Sequence, residues 1–116
     1  MIDIADLRIF VCTTPTNMIY SFDSLMGRAQ EVFDQDPTSG HLFLFFNRRR
    51  DRIKILFWDH DGFCIWYKRL EAGTFQMLTT TNDPEGLEFE HGQLVRLLDG
   101  LDLTTGHRRR RYRRVS

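Results

Sequence analysis

Three short apolar runs in the middle of the chain dominate its pattern of hydrophobic and polar positions. They span Leu42 to Phe46, Ile53 to Trp58 and Phe63 to Tyr67, and each is rich in aromatic and other strand-favouring residues. Each run has the length of a strand and is bounded by residues that favour turns, so the pattern predicts an antiparallel meander. We expect this meander to form the core of the fold.

The turn between the second and third runs, Asp59 to Gly62, fixes the predicted pairing of the hairpin. Asp-Gly supplies the positive φ values of a tight turn, which places Trp58 opposite Phe63 and Arg52 opposite Arg69. In this register both faces of the hairpin are apolar. The sheet is therefore expected to be covered on both sides, by helices, by another sheet or by a partner.

The sequence before the meander predicts one further strand and one helix. Leu7 to Cys12 is a short apolar run that ends in a Pro-containing turn, which indicates a strand. From Met18 to Asp34 the apolar residues recur at helical spacing and form one stripe, made of Phe22, Leu25, Met26, Ala29, Val32 and Phe33. Three residues are candidates for its N-cap: Thr16, Asn17 and Ser21. Pro37 is expected to end the helix, because the residue before a proline is disfavoured in the helical region.

The sequence after the meander predicts a fourth strand and a second helix. Thr74 to Leu78 reads as the strand, and a loop from Thr79 to Pro84 follows it. The second helix is short and repeats leucines at helical spacing, with Gly100 as its C-terminal cap: Leu94, Leu97, Leu98 and Leu101. The prediction is an α+β fold, a four- to five-stranded antiparallel meander sheet with two helices and a disordered basic C-terminal tail. Residues 1–104 are assigned to a single domain and residues 105–116 to the tail.

The formal net charge of zero conceals a separation of charge along the chain. All 16 acidic residues lie between Asp3 and Asp102, whereas the segment from His107 to Arg114 contains six arginines and no acid. The body therefore carries −6 and the tail +6. A separated basic block of this kind is typical of a disordered extension that reaches for an anionic surface.

The central run resembles a known bacterial family. Residues Gly40 to Glu71 read GHLFLFFNRRRDRIKILFWDHDGFCIWYKRLE, which is similar to the central motif of the accessory proteins encoded by the second open reading frame of transposons of the insertion sequence 66 family. Further similar segments are Phe22–Leu25, Asp36–Gly40 and Gln93–Asp102. The resemblance implies a place in a transposition operon beside a separate catalytic transposase, and it implies no established biochemical activity. The chain departs from the family pattern at Asn17 and Ile19, where the family tends to carry an acid and a base.

Two basic segments are the candidate nucleic-acid contacts. One lies at the end of the meander that carries the first turn and comprises Arg48, Arg49, Arg50, Arg52, Lys54, Lys68 and Arg69. The other is the tail, with Arg108, Arg109, Arg110, Arg111, Arg113 and Arg114. Arginine suits phosphate contact, and Tyr112 among the tail arginines suits stacking on a base. The alternatives are a basic loop that only balances Asp51, Glu71 and the acidic body, and a tail that touches nothing specific.

The sequence offers little for catalysis or metal binding. Asp59, His60 and Asp61 resemble a hard metal site, but Asp and Gly are also what a hairpin turn selects. The chain has no Gly-rich phosphate loop and no paired Cys motif, and Cys12 and Cys64 are expected to be buried free thiols. We therefore predict no catalytic residue, no metal and no cofactor, and keep a small nuclease only as a third hypothesis.

These observations predict a non-catalytic accessory factor of DNA transposition of the insertion sequence 66 type. Its expected partners are transposon DNA, engaged through the basic segments, and the transposase or another transposon-encoded subunit, docked on the acidic body or on the aromatic face of the sheet. The alternative is a protein adaptor within the transposition complex that makes no direct DNA contact. No apolar run is long enough for a membrane span and no signal peptide is recognisable, so a cytoplasmic protein without a membrane partner is expected. Homo-oligomerisation is left open.

Overall fold

The computed structural model describes residues 7–77 and 82–99. The elements in chain order are β1 (Ile9–Cys12), α1 (Phe22–Phe33), a short 3-10 helix (Pro37–Ser39), β2 (Leu42–Phe46), β3 (Arg52–Asp59), β4 (Gly62–Arg69), β5 (Gly86–Phe89) and α2 (His91–Asp99). The predicted α+β class, with two helices and a five-stranded sheet, is confirmed. The predicted disordered tail and the boundary at residue 104 lie outside the described residues.

The meander and its register are confirmed. Strands β2, β3 and β4 pair antiparallel in sequence order. Trp58 lies opposite Phe63 and Arg52 opposite Arg69, as the turn chemistry predicts. The positive φ, however, falls on His60 at 54° and not on the Asp-Gly pair, because Gly62 is already the first residue of β4.

The sequence predicted an antiparallel sheet, but one pair of neighbouring strands in the structure is parallel. Its strand order is β4-β3-β2-β1-β5, and β1 runs parallel to β2, with Ile9 beside Leu42. Parallel neighbours need a long crossover connection. Helix α1 lies in the connection from β1 to β2, so the parallel pair follows from placing that helix across one face of the sheet.

The strand that follows the meander is not the one predicted from sequence. Thr74 to Met77 form no strand; instead Phe75 is only 1% exposed, and its ring packs against that of Phe46 at 5.7 Å between centroids. Gly86–Phe89 supplies β5, antiparallel to β1, where sequence analysis placed no strand. A four-residue strand that contains both Gly and Glu has too weak a pattern to be recognised from sequence. Leu78 and residues 79–81 lie outside the described residues.

Both faces of the sheet are covered, as the apolar hairpin predicts. Helix α1 packs on one face, in a cluster of Phe10, Cys12, Leu25, Ala29, Phe43, Phe45 and Leu56. Helix α2 and Phe75 pack on the other, in a cluster of Ile9, Val11, Leu44, Phe46, Ile53, Ile55, Phe75, Phe89, Leu94 and Leu97. The two thiols are free, with Cys12 buried and Cys64 partly buried.

Helix α1 is shorter than its periodicity predicts. It begins at Phe22, with Ser21 as N-cap; the amide of Ser21 donates to Oγ of Ser24 at 2.9 Å. It ends through Asp34, whose φ of 50° is left-handed, and Pro37 instead starts the 3-10 helix. Residues 18–20 are therefore free to form a loop, which becomes one wall of the site below. In α2 the predicted Gly100 and Leu101 lie outside the described residues.

Candidate nucleic-acid interface

The register gathers the central cations at one end of the sheet. The turn between β2 and β3, residues 47–51, carries three consecutive arginines and lies beside the last residues of β4, because Arg52 pairs with Arg69. The Asp59–Gly62 connection lies at the opposite end of the same hairpin. The arginine turn and the acidic turn are therefore separated by the length of the hairpin.

Asn47 organises the arginine turn. Its side-chain Oδ1 accepts the N–H groups of Asp51 at 3.1 Å and Arg52 at 3.0 Å, while its Nδ2 donates to the carboxylate of Asp51 at 2.6 Å. Its carbonyl accepts the N–H of Arg50, which has a left-handed φ of 56°. One asparagine therefore satisfies several backbone groups of a turn that contains no glycine.

An open groove of about 820 Å³ lies between this turn and the loop that follows β1. We call it the arginine groove. Its lining comes from the loop (Pro15, Thr16, Asn17, Met18 and Tyr20), from α1 (Arg28) and from the turn (Asn47, Arg48, Arg49, Asp51 and Arg52). Four arginines and one aspartate give the lining a formal charge of +3. A concave surface of one sign concentrates an anionic ligand.

Arg28 is committed to holding the groove together. Its guanidinium donates to Oγ1 of Thr16 at 3.1 Å and to Oγ1 of Thr14 at 2.7 Å, and it forms an ion pair with Glu85 at 3.2 Å. Its side chain is 18% exposed. Arg28 thus ties α1 to the loop and to the start of β5, and its charge is largely met by the protein itself.

Lys54 is also used inside the fold. The residue is only 8% exposed, and its ammonium donates to the carbonyls of Met18 and Tyr20, at 2.7 Å each. The ammonium lies 4.8 Å from the ring centroid of Tyr67. A buried ammonium of this kind needs such acceptors. Lys54 therefore anchors the loop wall of the groove and is not presented to solvent with the other predicted cations.

The remaining central cations differ in how far they are engaged. Arg48 and Arg49 are exposed, and within the described part of the chain their side chains have no hydrogen-bond or ion-pair partner. Arg52 donates to the hydroxyl of Tyr67 at 3.2 Å. Arg69 forms an ion pair with Glu71 at 2.8 Å, which offsets its like-charge neighbour across the strand pair.

Two further cations of the predicted set do not line the groove. Lys68 is opposite Ile53, so it lies on the α2 face of the sheet. Arg50 shapes the turn through its backbone, and its carbonyl accepts the N–H of Phe75 at 2.7 Å. The structure thus brings Arg48, Arg49 and Arg52 together at the groove, while the six tail arginines lie outside the described residues.

Asp51 is the acid within the groove. Its pKa is lowered, mainly by the hydrogen bond from Asn47 and further by the positive charges of Arg49 and Arg52. The carboxylate is therefore ionised at neutral pH. It holds the turn through Asn47 and leaves the net charge of the groove positive.

Exposed aromatic and aliphatic side chains flank the groove on the α1 side. Tyr20 lines it and is 39% exposed, while Tyr67, in contact with Arg52, is 46% exposed. Ile19, in the same loop, is 85% exposed. Sequence analysis missed the loop wall with Tyr20, and it missed Asn47. For Asn47 the sequence held one usable signal, an asparagine at the start of a turn without glycine. It held none for the loop wall.

The acidic turn shows no metal-site geometry. Within residues 7–77 and 82–99, no group of three or more His, Cys, Asp or Glu side chains is placed to hold a metal ion. His60 and Asp59 approach to 3.9 Å, and both are substantially exposed. None of the helices in the described residues is long and apolar enough to cross a membrane.

The chain is similar to known proteins over most of its length. The family model described as IS66 Orf2 like protein matches residues 7–108. Uncharacterized protein y4hO of Sinorhizobium fredii (strain NBRC 101917 / NGR234) is 33% identical over 97 residues, covering 84% of this chain and 83% of that protein. Uncharacterized protein y4jC of the same strain is 33% identical over 69 residues, covering 60% and 59%.

No solved structure matches the chain. The family match spans the whole described fold, including the arginine turn and the loop wall of the groove. The chain therefore belongs to the IS66 Orf2 like family, and it is an accessory protein associated with transposition.

Proposed function

We propose that this chain is a non-catalytic accessory factor that contacts transposon DNA through the arginine groove, in the bacterial cytoplasm where that DNA lies. One observation carries the proposal: Arg48 and Arg49 are exposed beside Arg52 in a concave, positively charged surface, and within the described residues their side chains have no partner. Neither guanidinium group is committed to a hydrogen bond or an ion pair there, so both are available to a ligand. Phosphate is the ligand that such groups match best, through paired N–H donors.

The chemistry of the groove favours the backbone of DNA over its bases. Arginine contacts to phosphates position a protein on a duplex and carry no sequence information. Tyr20 adds an aromatic ring at the same surface, which suits stacking on an unpaired base or packing on a sugar. The proposed contact is therefore general for nucleic acid, and a preference for transposon ends would come from DNA shape or from a partner.

The basic tail is proposed as a second contact with the same DNA. Its six arginines between residues 108 and 114 would add phosphate contacts without fixed geometry. Lys54 is left out of the proposed contact because it is buried, and Arg69 is given a minor part because Glu71 already pairs with it. The transposase or another transposon-encoded subunit is the proposed protein partner.

A second function is favoured by the opposite face of the sheet. Trp66 is 42% exposed and Val95 is 64% exposed on the side covered by α2. Exposed apolar residues of this size are suited to a protein contact. The alternative is thus a protein adaptor of the transposition complex, in which the cations meet acidic side chains of the partner and DNA is not touched.

Fluorescence anisotropy with a labelled transposon-end duplex and a scrambled duplex tests the proposal. We expect Arg48→Gln/Arg49→Gln to weaken binding to both duplexes at low salt. Arg96→Gln is the matched control, because Arg96 is an exposed arginine on α2, outside the groove lining. If the wild type does not bind either duplex at low salt, the DNA contact is wrong and the adaptor function is preferred. Binding that the double variant leaves unchanged would remove the groove from the interface.

A further inference from the structure

The two edges of the sheet are built very differently. Strand β5, at one edge, has four residues, contains Glu88, follows Pro84 and is flanked by Glu85 and Glu90. Short length, charge and proline are the devices by which natural sheets keep an edge from pairing with another chain. The β5 edge is therefore protected.

Strand β4, at the other edge, has none of these devices over most of its length. It is eight residues long, and Gly62 to Tyr67 contain neither a charge nor a proline. Its pairing with β3 runs one residue against one from Arg52–Arg69 to Asp59–Gly62, so no bulge twists the edge away. A long, regular and apolar edge is a template for another strand.

The hydrogen-bond phase shows which groups of β4 face outward. The N–H of Leu70 donates to the carbonyl of Asp51 across β3 and β4 at 2.7 Å. In an antiparallel pair, hydrogen-bonded positions alternate, so Lys68, Trp66 and Cys64 bond to β3. The N–H and C=O groups of the intervening residues therefore point away from the sheet: Phe63, Ile65, Tyr67 and Arg69. Within the described residues no strand lies beyond them.

The side chains along this edge are also suited to burial. Trp66 and Tyr67 are neighbours on opposite faces of the strand, and they are 42% and 46% exposed. Aromatic residues with this exposure on both faces of an open edge would be covered when a second strand is added.

We infer that a second copy of this chain pairs with the β4 edge, antiparallel and about a two-fold axis, to form a continuous ten-stranded sheet. The charges on the hairpin argue for this occupant. One end of β4 carries Lys68 and Arg69, and the turn at its other end carries Asp59 and Asp61. Antiparallel self-pairing brings each basic end to the acidic end of the other copy, which a two-fold contact satisfies twice.

The outward-facing groups and the charges together favour one register. Centring the two-fold axis on Ile65 pairs the outward groups of Phe63 with those of Tyr67 from the second copy. It also places Arg69 opposite Asp61 of the second copy, and it brings no two cations together. Trp66 then lies opposite Cys64 of the second copy, in a position where directly opposed side chains are closest.

Sedimentation velocity and amide hydrogen exchange on the full-length wild type test the inference. Between about 1 and 100 μM, a range that covers weak and moderate interfaces, we expect a shift from monomer to dimer. Exchange at Phe63, Ile65 and Tyr67 should slow with concentration, whereas exchange at Cys64 and Trp66 should not change. A monomer at every concentration overturns the inference. So does protection of those three amides in the monomer, since a part of the chain outside the described residues would then cover the edge.

Trp66→Lys places a charge in the middle of the edge, and Val95→Lys introduces the same charge at an exposed apolar position on α2, off the edge. We expect Trp66→Lys to raise the dimer dissociation constant at least about tenfold, as for a central interface residue, and Val95→Lys to leave it near the wild-type value. Circular dichroism checks that both variants fold. If Trp66→Lys does not fold, the hydrogen-exchange pattern of the wild type decides whether β4 forms the interface. If Trp66→Lys dimerises as tightly as the wild type, another surface forms the dimer and the inference is overturned. The same holds if the wild type dimerises but the amides of Phe63, Ile65 and Tyr67 still exchange fast.

Discussion

Two hydrogen bonds join Asn47 and Asp51 across the arginine turn. The side-chain amide of Asn47 donates to the Asp51 carboxylate at 2.6 Å, and Oδ1 of Asn47 accepts the backbone N–H of Asp51 at 3.1 Å. The same oxygen accepts the N–H of Arg52 at 3.0 Å. The pair closes a turn that carries Arg48 and Arg49 in the exposed positions. The presentation of the two arginines therefore depends on an uncharged residue.

Replacing Asn47 with Ala removes three hydrogen bonds from this turn at once. We expect Asn47→Ala to lower the free energy of unfolding by about 1–3 kcal/mol, because part-buried amide groups lose their acceptor. Urea denaturation measures the change. Asn17→Ala is the control in the same groove, since among the described residues the side chain of Asn17 accepts one hydrogen bond, from the N–H of Ile19. Equal losses for the two variants would show that Asn47 does not hold the turn.

Lys54 was predicted as a nucleic-acid contact, and its burial leads to a different expectation. Lys54→Met should lower the free energy of unfolding by about 1–3 kcal/mol, because the carbonyls of Met18 and Tyr20 lose their donor. Lys68→Met, which removes the same charge but breaks no hydrogen bond or ion pair within the described residues, should change the free energy of unfolding by less than about 0.5 kcal/mol. Thermal melts of both variants provide the measurement. A destabilising Lys68→Met with a neutral Lys54→Met would contradict the structural role.

The hairpin was predictable because its signals are local. The apolar runs give the strands, and a two-residue turn leaves only one register, so the pairing of Trp58 with Phe63 followed from sequence alone. The same register gave the clustering of Arg52 and Arg69 at one end. Alternating apolar residues on both faces also indicated cover on both sides of the sheet.

What could not be predicted depends on contacts far apart in the chain. The parallel pairing of β1 with β2 is decided by where α1 packs, and β5 is a strand because it pairs with β1, about seventy-five residues away. The loop wall of the groove is held by Lys54, whose acceptors lie 36 and 34 residues earlier in the chain. A lysine among cations gives no signal in the sequence that it is buried.

Gly86 permits a close approach of β5 to α1. A Cβ at this position would lie 2.8 Å from Cδ1 of Phe33 and 3.0 Å from the carbonyl oxygen of Val32. We expect Gly86→Ala to destabilise the fold by about 1–3 kcal/mol, because the helix must shift. Gly27→Ala, within α1, is the opposite control. A Cβ at this position has no atom within 4 Å, so the substitution should raise the free energy of unfolding by about 0.5–1 kcal/mol. Chemical denaturation that gives both variants the same sign would contradict this packing.

His41 should make stability depend on pH on the acid side. Burial, followed by the charge of Arg8, lowers the pKa of His41 below 6.5, and its Nδ1 accepts the N–H of Arg8 at 3.0 Å, which a protonated ring cannot do. The unfolded chain therefore binds more protons between the folded pKa and 6.5. The free energy of unfolding should fall as pH drops below 6.5 and should be independent of this group above it.

Denaturation at several pH values measures this dependence. His41→Asn, which keeps an acceptor without a titrating ring, should flatten the change between about pH 7 and 5. His60→Asn, at the exposed β3–β4 turn, is the matched variant with the same substitution. A wild type that gains stability as the pH falls through this range would contradict the assigned direction.

The salt dependence of DNA binding separates the groove from the tail. Each phosphate neutralised contributes about −0.9 to the slope of log K against log salt concentration, so six tail contacts would give about −5 and two groove contacts about −2. We expect Arg48→Gln/Arg49→Gln to reduce the magnitude of the slope by about 2. Replacing the six tail arginines with Gln should reduce it by up to about 5. Arg96→Gln should leave it unchanged. If the tail variant abolishes the slope entirely while the groove variant retains it, the arginine groove does not contact phosphate, and its two exposed guanidinium groups are left for an acidic protein partner.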